Sequence, residues 1–217
     1  MDINDKNPKL FYEPGEFGFL KVFELNYELI KEEYFNLINV LPHDKWFTAF
    51  PEYVASDKGN QWKTFTFKFM GITNTLAHHY CPKTYDLIKG IPELIGAEFS
   101  VLPPGTIIKP HKGFSRMILR SHLGLVVPEG GCSLTVENEA YYWKEREMVV
   151  FDDSFEHSAI NPTNSTRVIL MIDIPNPRWG YTAHEITKHK IENITDPFML
   201  NVFSKEQWLD FHKKGTF

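Results

Sequence analysis

Residues 62–70 read WKTFTFKFM, with polar and apolar side chains taking turns, and a period of two predicts a β-strand. Trp62, Thr64, Thr66 and Lys68 then share one face of that strand, while Phe65, Phe67 and Phe69 share the other. Residues 27–41 (YELIKEEYFNLINVL) follow a different rhythm. Leu29, Ile30, Tyr34, Leu37, Ile38 and Leu41 recur at spacings of three and four, which predicts an amphipathic helix. Residues 81–91 (CPKTYDLIKGI) carry Pro82 where a helix tolerates a missing N–H and Gly90 where it stops, so a short helix is expected there.

From residue 97 to 174 the texture becomes a series of short β-rich runs: AEFSVL, TIIKPH, MILRSHLGLVV, CSLTVEN, AYYWKE, EMVVFDD and TRVILMIDI. Turn-forming clusters such as Pro103-Pro104-Gly105 and Asn161-Pro162-Thr163-Asn164 separate them, and no helical period intervenes. Strands at this spacing predict a sandwich or an open barrel. Residues 204–214 (SKEQWLDFHKK) close the chain with a capping-box helix, Ser204 at its start, Gln207 three residues on and Gly215 at its end. The expected layout is a single domain over 1–217. A helical and strand region fills 1–96, a β core 97–177 and a helical tail 178–217.

Composition narrows the function classes. With 217 residues and 42% hydrophobic content, the chain can bury one substantial core. A formal net charge of −5 gives no overall basic field for nucleic acid or an anionic membrane. The stretch MDINDKNPKLFYEPGEFG is polar and acidic, unlike a signal peptide, and no run approaches the roughly 18 apolar residues of a membrane span. Cys81 and Cys132 show no C-x-x-C spacing and read as small apolar thiols in a reducing compartment, so a cytoplasmic location is expected.

Most of the histidines have ordinary readings. His43, His184, His189 and His212 lie in polar or helical contexts that suit a surface role, and His78 and His79 are adjacent in a loop-like stretch. His111, His122 and His157 stand apart. His111 ends an apolar run, His157 follows another through the acidic loop FDDSFEH (157 − 111 = 46), and Arg167 lies ten residues further on inside TRVILMIDI. A guanidinium in so apolar a strand needs an anionic partner, because burying it unpaired costs several kcal/mol. Arg120 and His122 alternate with Leu119 and Ser121 in LRSHL and therefore share a strand face.

The blocks PPGTIIKPHKG, LRSHLGLVVPEGGCSLTVENE and FDDSFEHSAINPTNSTRVILMIDIPNP, preceded by WKTFTFKFMG and CPKTYDLIKGIPELIG, occur in the order that resembles the aspartyl/asparaginyl β-hydroxylase family. The resemblance covers roughly residues 60–177. It implies a mainly β fold with flanking helices around a double-stranded β-helix (jelly-roll, cupin-like) core, and an Fe(II)/2-oxoglutarate-dependent dioxygenase acting as a hydroxylase. Carried across, His111 and His157 are the iron ligands, Arg167 with Ser100 holds the distal carboxylate of 2-oxoglutarate, and Arg120 with His122 sits at its oxalyl end. Asp152, Asp153 and Glu156 are expected to fix the loop and the His157 imidazole. The implied partners are O₂ and a small-molecule or peptide substrate, with no nucleic acid and no membrane.

The usual triad of this cofactor class adds a carboxylate two residues after the first histidine, whereas this chain has Gly113. The resembled family works without that acid. On this basis Gly113→Asp is expected to hold iron at least as tightly yet hydroxylate less well. Ile118 stands where animal members tend to carry a second arginine for the substrate carboxylate, so the substrate ranges from an aspartyl/asparaginyl-like amino acid or peptide to a related small molecule. A halogenase of the same cofactor class, which exploits the vacancy at Gly113, and a non-catalytic cupin-like binding protein are the alternatives.

Overall fold

The computed structural model describes residues 9–91 and 93–217; residues 1–8, part of the irregular start expected within 1–96, and residue 92 lie outside the described residues. Its strands run in chain order as β1 (Phe11–Tyr12), β2 (Phe47–Thr48), β3 (Val54–Ser56), β4 (Lys63–Phe69), β5 (Ile72–Thr73) and β6 (Gly96–Leu102). They continue as β7 (Thr106–His111), β8 (Ile118–Val126), β9 (Ser133–Val136), β10 (Glu139–Tyr142), β11 (Met148–Phe151), β12 (His157–Asn161) and β13 (Arg167–Pro175). The α-helices are α1 (Lys21–Leu25), α2 (Tyr27–Val40), α3 (Ala77–Tyr80) and α4 (Pro82–Lys89), then α5 (Ala183–Glu192), α6 (Pro197–Val202) and α7 (Lys205–Lys214).

Two antiparallel sheets face each other. The larger follows the order β1-β11-β8-β13-β6-β4-β2 with β5 on β4, and the smaller follows β10-β9-β12-β7-β3. From β6 to β13 the chain crosses back and forth between them, which gives the double-stranded β-helix expected for 97–177. Its central strand explains the apolar run VILMI, residues 168–172. β13 is paired on both sides, and both of its faces are covered. Val168, Leu170 and Ile172 pack with Phe23, Ile30 and Leu37 under the helices, while Ile169 and Met171 enter the space between the sheets. Each such fully buried side chain contributes about 1.5–3 kcal/mol.

The tail helix forms as its sequence predicts, with the Ser204 and Gln207 capping box at one end and Gly215 at φ 75° at the other. Other details differ. His78 and His79 belong to the one-turn helix α3 instead of a loop. The register of β4 against β6 shifts between Thr66 and Lys68, and a bulge of this kind re-aims the side chains beyond it. Phe65 and Phe67 stay with the helix-side core, whereas Phe69 packs 5.9 Å from Trp208 in the C-terminal cluster. No helix among the described residues is long and apolar enough to cross a membrane.

Candidate functional site

His111 and His157 are direct partners across the antiparallel β7/β12 pair, with ring centroids 4.2 Å apart. Each ring is turned by its own backbone. The Nδ1 of His111 bonds the Lys109 carbonyl at 2.8 Å, and the Nδ1 of His157 bonds the Phe155 carbonyl at 2.9 Å. Both tautomers thereby leave Nε2 as a lone-pair donor, the arrangement in which imidazole binds metals. Tyr53 stacks on His111 at 4.8 Å, and Phe151 meets His157 edge-on at 5.5 Å. Among the described residues, no third histidine, cysteine or carboxylate joins the pair in metal-binding geometry.

Burial, reinforced by the neighbouring His111, pushes the His157 imidazole down to about 3, and burial lowers His111 as well. Both rings are therefore neutral and ligand-ready near neutral pH. A folded-state pKa below the ordinary 6.5 means that the unfolded chain takes up a proton that the folded one refuses, so stability drains away as pH falls from about 6.5 toward 3. Metal-free His157→Gln should escape this loss. Its stability relative to the parent is expected to rise by about 2 kcal/mol between pH 7 and pH 5, measured by denaturant melts at both pH values. A pH-independent difference would place the His157 pKa near its ordinary value.

Arg167 opens β13 and points between the sheets at 1% exposure, among the largest fully buried side chains. Its Nη1 donates to the Ser100 carbonyl at 3.2 Å and approaches the Ser100 hydroxyl at 3.5 Å; its Nε has no partner. Among the described residues no carboxylate pairs with it, and its charge rests over the Trp143 ring at 4.6 Å. Burial draws the guanidinium down to about 10, still cationic at neutral pH. Ser100 Oγ accepts from Trp62 Nε1 at 2.9 Å, which leaves the hydroxyl proton to donate. His122 is buried with neither ring nitrogen satisfied, and burial together with Arg120 and Arg167 holds it well below its usual range, hence neutral. Contacts of His122 with Trp143 (5.8 Å) and Phe151 (5.1 Å) link the Arg167 end of the site to the histidine pair.

Arg120 is placed differently. Its Nε and Nη2 form a fork onto Asp173 at 2.8 and 2.9 Å, and Asp153 lies 3.5 Å away. Asp153 is 2% exposed at the side chain, its Oδ1 has no hydrogen-bond donor, and burial raises its carboxyl to about 7 despite Arg120. Its carboxylate fills the space beside Gly113: a Cβ added there would overlap the Oδ2 atom and lie 2.6 Å from Oδ1. The Gly113 N–H also donates to the Asp153 carbonyl at 2.7 Å. The acidic loop therefore fixes its own turn, as expected, but its acids do not orient the imidazole. Asp152 accepts from the Ser154 N–H in its own turn, the Glu156 side chain is exposed, and the His157 imidazole is oriented by a backbone carbonyl instead of an acid. Ile118 is buried with Ile95, Ala183 and Ile186, away from this cluster.

A cavity of about 340 Å³ opens from His111, Gly113 and Arg120. Its polar floor is the inner face of the large sheet, Thr64, Thr66 and Glu98, and its walls are aromatic. Sequence reading missed these walls because they come from loops and the tail. Phe50 is the clearest case, a bulky residue at φ 34° and ψ 67° before Pro51, in a region that costs of order 1–3 kcal/mol. No periodicity announces such a residue.

These groups fit a divalent metal and a keto acid. Two imidazole Nε2 atoms suit Fe(II) with coordination positions left open. A buried, carboxylate-free guanidinium beside a free hydroxyl proton, and a buried imidazole without partners, match the two ends of a dicarboxylate.

A sequence profile described as aspartyl/asparaginyl β-hydroxylase matches residues 24–177. The Homo sapiens aspartyl/asparaginyl β-hydroxylase is 32% identical over 189 residues, covering 81% of this chain and 24% of that protein. An ornithine lipid ester-linked acyl 2-hydroxylase of Rhizobium tropici is 32% identical over 176 residues, covering 79% of this chain and 62% of that one. Among solved structures, a Pseudomonas putida prolyl-4-hydroxylase aligns with 69% of this chain and 86% of its own, at a TM-score of 0.44 and 15% identity.

Proposed function

Since the chain belongs to the aspartyl/asparaginyl β-hydroxylase family, we propose that it is an Fe(II)/2-oxoglutarate-dependent hydroxylase in which His111 and His157 hold the metal. When bound, Fe(II) with 2-oxoglutarate and O₂ supplies the chemistry that converts a C–H bond to C–OH and releases succinate and CO₂. The chain's own residues position and shield. Arg167 and the Ser100 hydroxyl take the distal carboxylate, and His122 with the remaining Nη1 of Arg120 takes the oxalyl end. Trp143, Phe151 and Met171 keep water from the keto acid. The substrate classes open to this reading run from an aspartyl/asparaginyl-like amino acid or peptide to another small molecule, and a cytoplasmic setting is part of the same reading.

The observation that carries this reading is Arg167, a fully buried cation that no carboxylate pairs among the described residues. A binding protein without a small anionic ligand would leave that charge stranded at a cost of several kcal/mol. Halogenation is disfavoured, because the Asp153 carboxylate occupies the space beside Gly113 that a halide would enter. The direct test is succinate formation from Fe(II) and 2-oxoglutarate across a panel of substrates. Arg167→Lys keeps the charge but loses the planar fork, so the KM for 2-oxoglutarate is expected to rise by about 1–3 kcal/mol, roughly five- to 150-fold. An unchanged KM would make Arg167 a structural residue.

A further inference from the structure

The aromatic wall of the cavity is continuous. Tyr53 lies on His111 at 4.8 Å, Phe50 stacks on Tyr53 at 5.7 Å, and Phe198 of α6 meets Phe50 at 4.5 Å. Phe114 closes on Phe50 from the loop after β7 at 5.8 Å. The far side is built by Phe203, Trp208 and Phe217. This part of the wall lies beyond residue 177, where the family match ends. The terminal segment is also fastened to the sheet, since Thr73 N donates to the Gly215 carbonyl and Phe217 N to the Thr73 carbonyl. The tail therefore brings side chains to the cavity from a cluster separate from the main cores, with Ile72, Ile191, Met199 and Trp208 at its centre.

Polar groups in this cavity are segregated. Thr64, Thr66, Glu98 and Arg120 lie on the sheet floor, and Arg120 is already forked onto Asp173. Lys45 and Lys112 are exposed. A charged amino-acid side chain entering along the aromatic wall would exchange water for phenyl rings, away from the charged groups of the floor. An apolar chain would lose only its hydration shell. The volume of about 340 Å³ is at the lower end of the roughly 300–1,000 Å³ typical of small-molecule sites. Phe50 completes the picture, because its left-handed backbone persists where the surrounding structure demands its ring in that one place.

We propose that the cavity between the sheet floor and α6/α7 receives an apolar chain, so that the substrate is a compound carrying an alkyl or acyl chain whose proximal carbons reach His111. The proposal rests on the oxygenase reading for what happens to the chain, but not for its binding. Phe50, Phe114 and Phe198 are then the residues that select it.

Binding is separable from turnover. Trp46, Trp62 and Trp208 line the cavity and report on it by intrinsic fluorescence in metal-free protein. Titration with N-methylalkanamides of increasing length is expected to tighten about fourfold per buried methylene and then level off when the cavity is full. N-acetylasparagine N-methylamide, a model of an asparaginyl residue, should not compete. Phe114→Ala removes a half-exposed ring, and Phe50→Gly suits the backbone while deleting the ring. Each is expected to weaken the longest bound amide about tenfold, with Tm unchanged in Phe114→Ala and lowered in Phe50→Gly, whose ring packs on Tyr53, Trp62, Phe114 and Phe198. A flat dependence on chain length, or asparaginyl competition, overturns the proposal even if the protein releases succinate. Chain-length-dependent binding without succinate formation under any chain-bearing substrate upholds the ligand class and overturns the oxygenase reading alone.

Discussion

His111→Ala and His157→Ala are each expected to abolish succinate formation and to raise the Fe(II) dissociation constant by roughly a hundredfold or more, because each deletes half of the protein's lone-pair donors at the site. The two variants should differ in stability. His157 is 5% exposed, and its loss strands the Phe155 carbonyl in a packed environment at about 1–3 kcal/mol. His111 is only partly buried and lies at a strand end, so its removal should leave Tm nearly unchanged. Anaerobic Fe(II) titration beside thermal melts separates the two effects. Parental iron affinity in both alanine variants would falsify the assignment of this pair as the metal ligands.

That these histidines face each other was only partly visible in the chain. Strand alternation located β7 and the apolar run before the acidic loop, and so it placed both residues near strand ends. Sequence spacing carries no information on register, however, and it is register that sets His157 opposite His111. The strand β12 itself went unseen. HSAIN has one large apolar side chain, and a bulge between His157 and Ala159 breaks its period. The same limitation appears in β4, where the shift after Thr66 sends Phe69 to the C-terminal cluster and not to the face that strict alternation gives it.

The polar end of the site was legible where a charge violated its surroundings. Arg167 in an otherwise apolar strand demanded an anion, and among the described residues it meets Ser100 and the Trp143 ring instead. Arg120 was legible as a face but not as a pair. Asp173 is its neighbour through β8/β13 register, and Asp153 arrives from the loop after β11. The aromatic cavity wall was the least accessible part, for it joins residues near 50, 114 and 200 that no local pattern connects.

Gly113 shows how a contact across the site overrides triad logic. A carboxylate two residues after His111 would complete a two-histidine, one-acid set, and from sequence alone Gly113→Asp promised iron binding at least as tight. The Asp153 carboxylate already lies where the new Cβ must go. Both Gly113→Ala and Gly113→Asp are therefore expected to destabilise the fold by about 1–3 kcal/mol through overpacking. Gly113→Asp adds a second negative charge beside a carboxyl whose own proton is already held to about pH 7 by burial. Hydroxylation should fall by at least about tenfold in both variants, since displacing Asp153 disturbs the Gly113 backbone bond two residues from His111. The double variant Gly113→Asp/Asp153→Gly isolates the cause. It moves the acid across the gap, keeps Arg120 forked on Asp173 and clears the collision, so Tm and Fe(II) affinity should recover toward the parent. Parental Tm in Gly113→Ala, or a double variant no better than Gly113→Asp, would show that Asp153 does not fill the position that Gly113 leaves open.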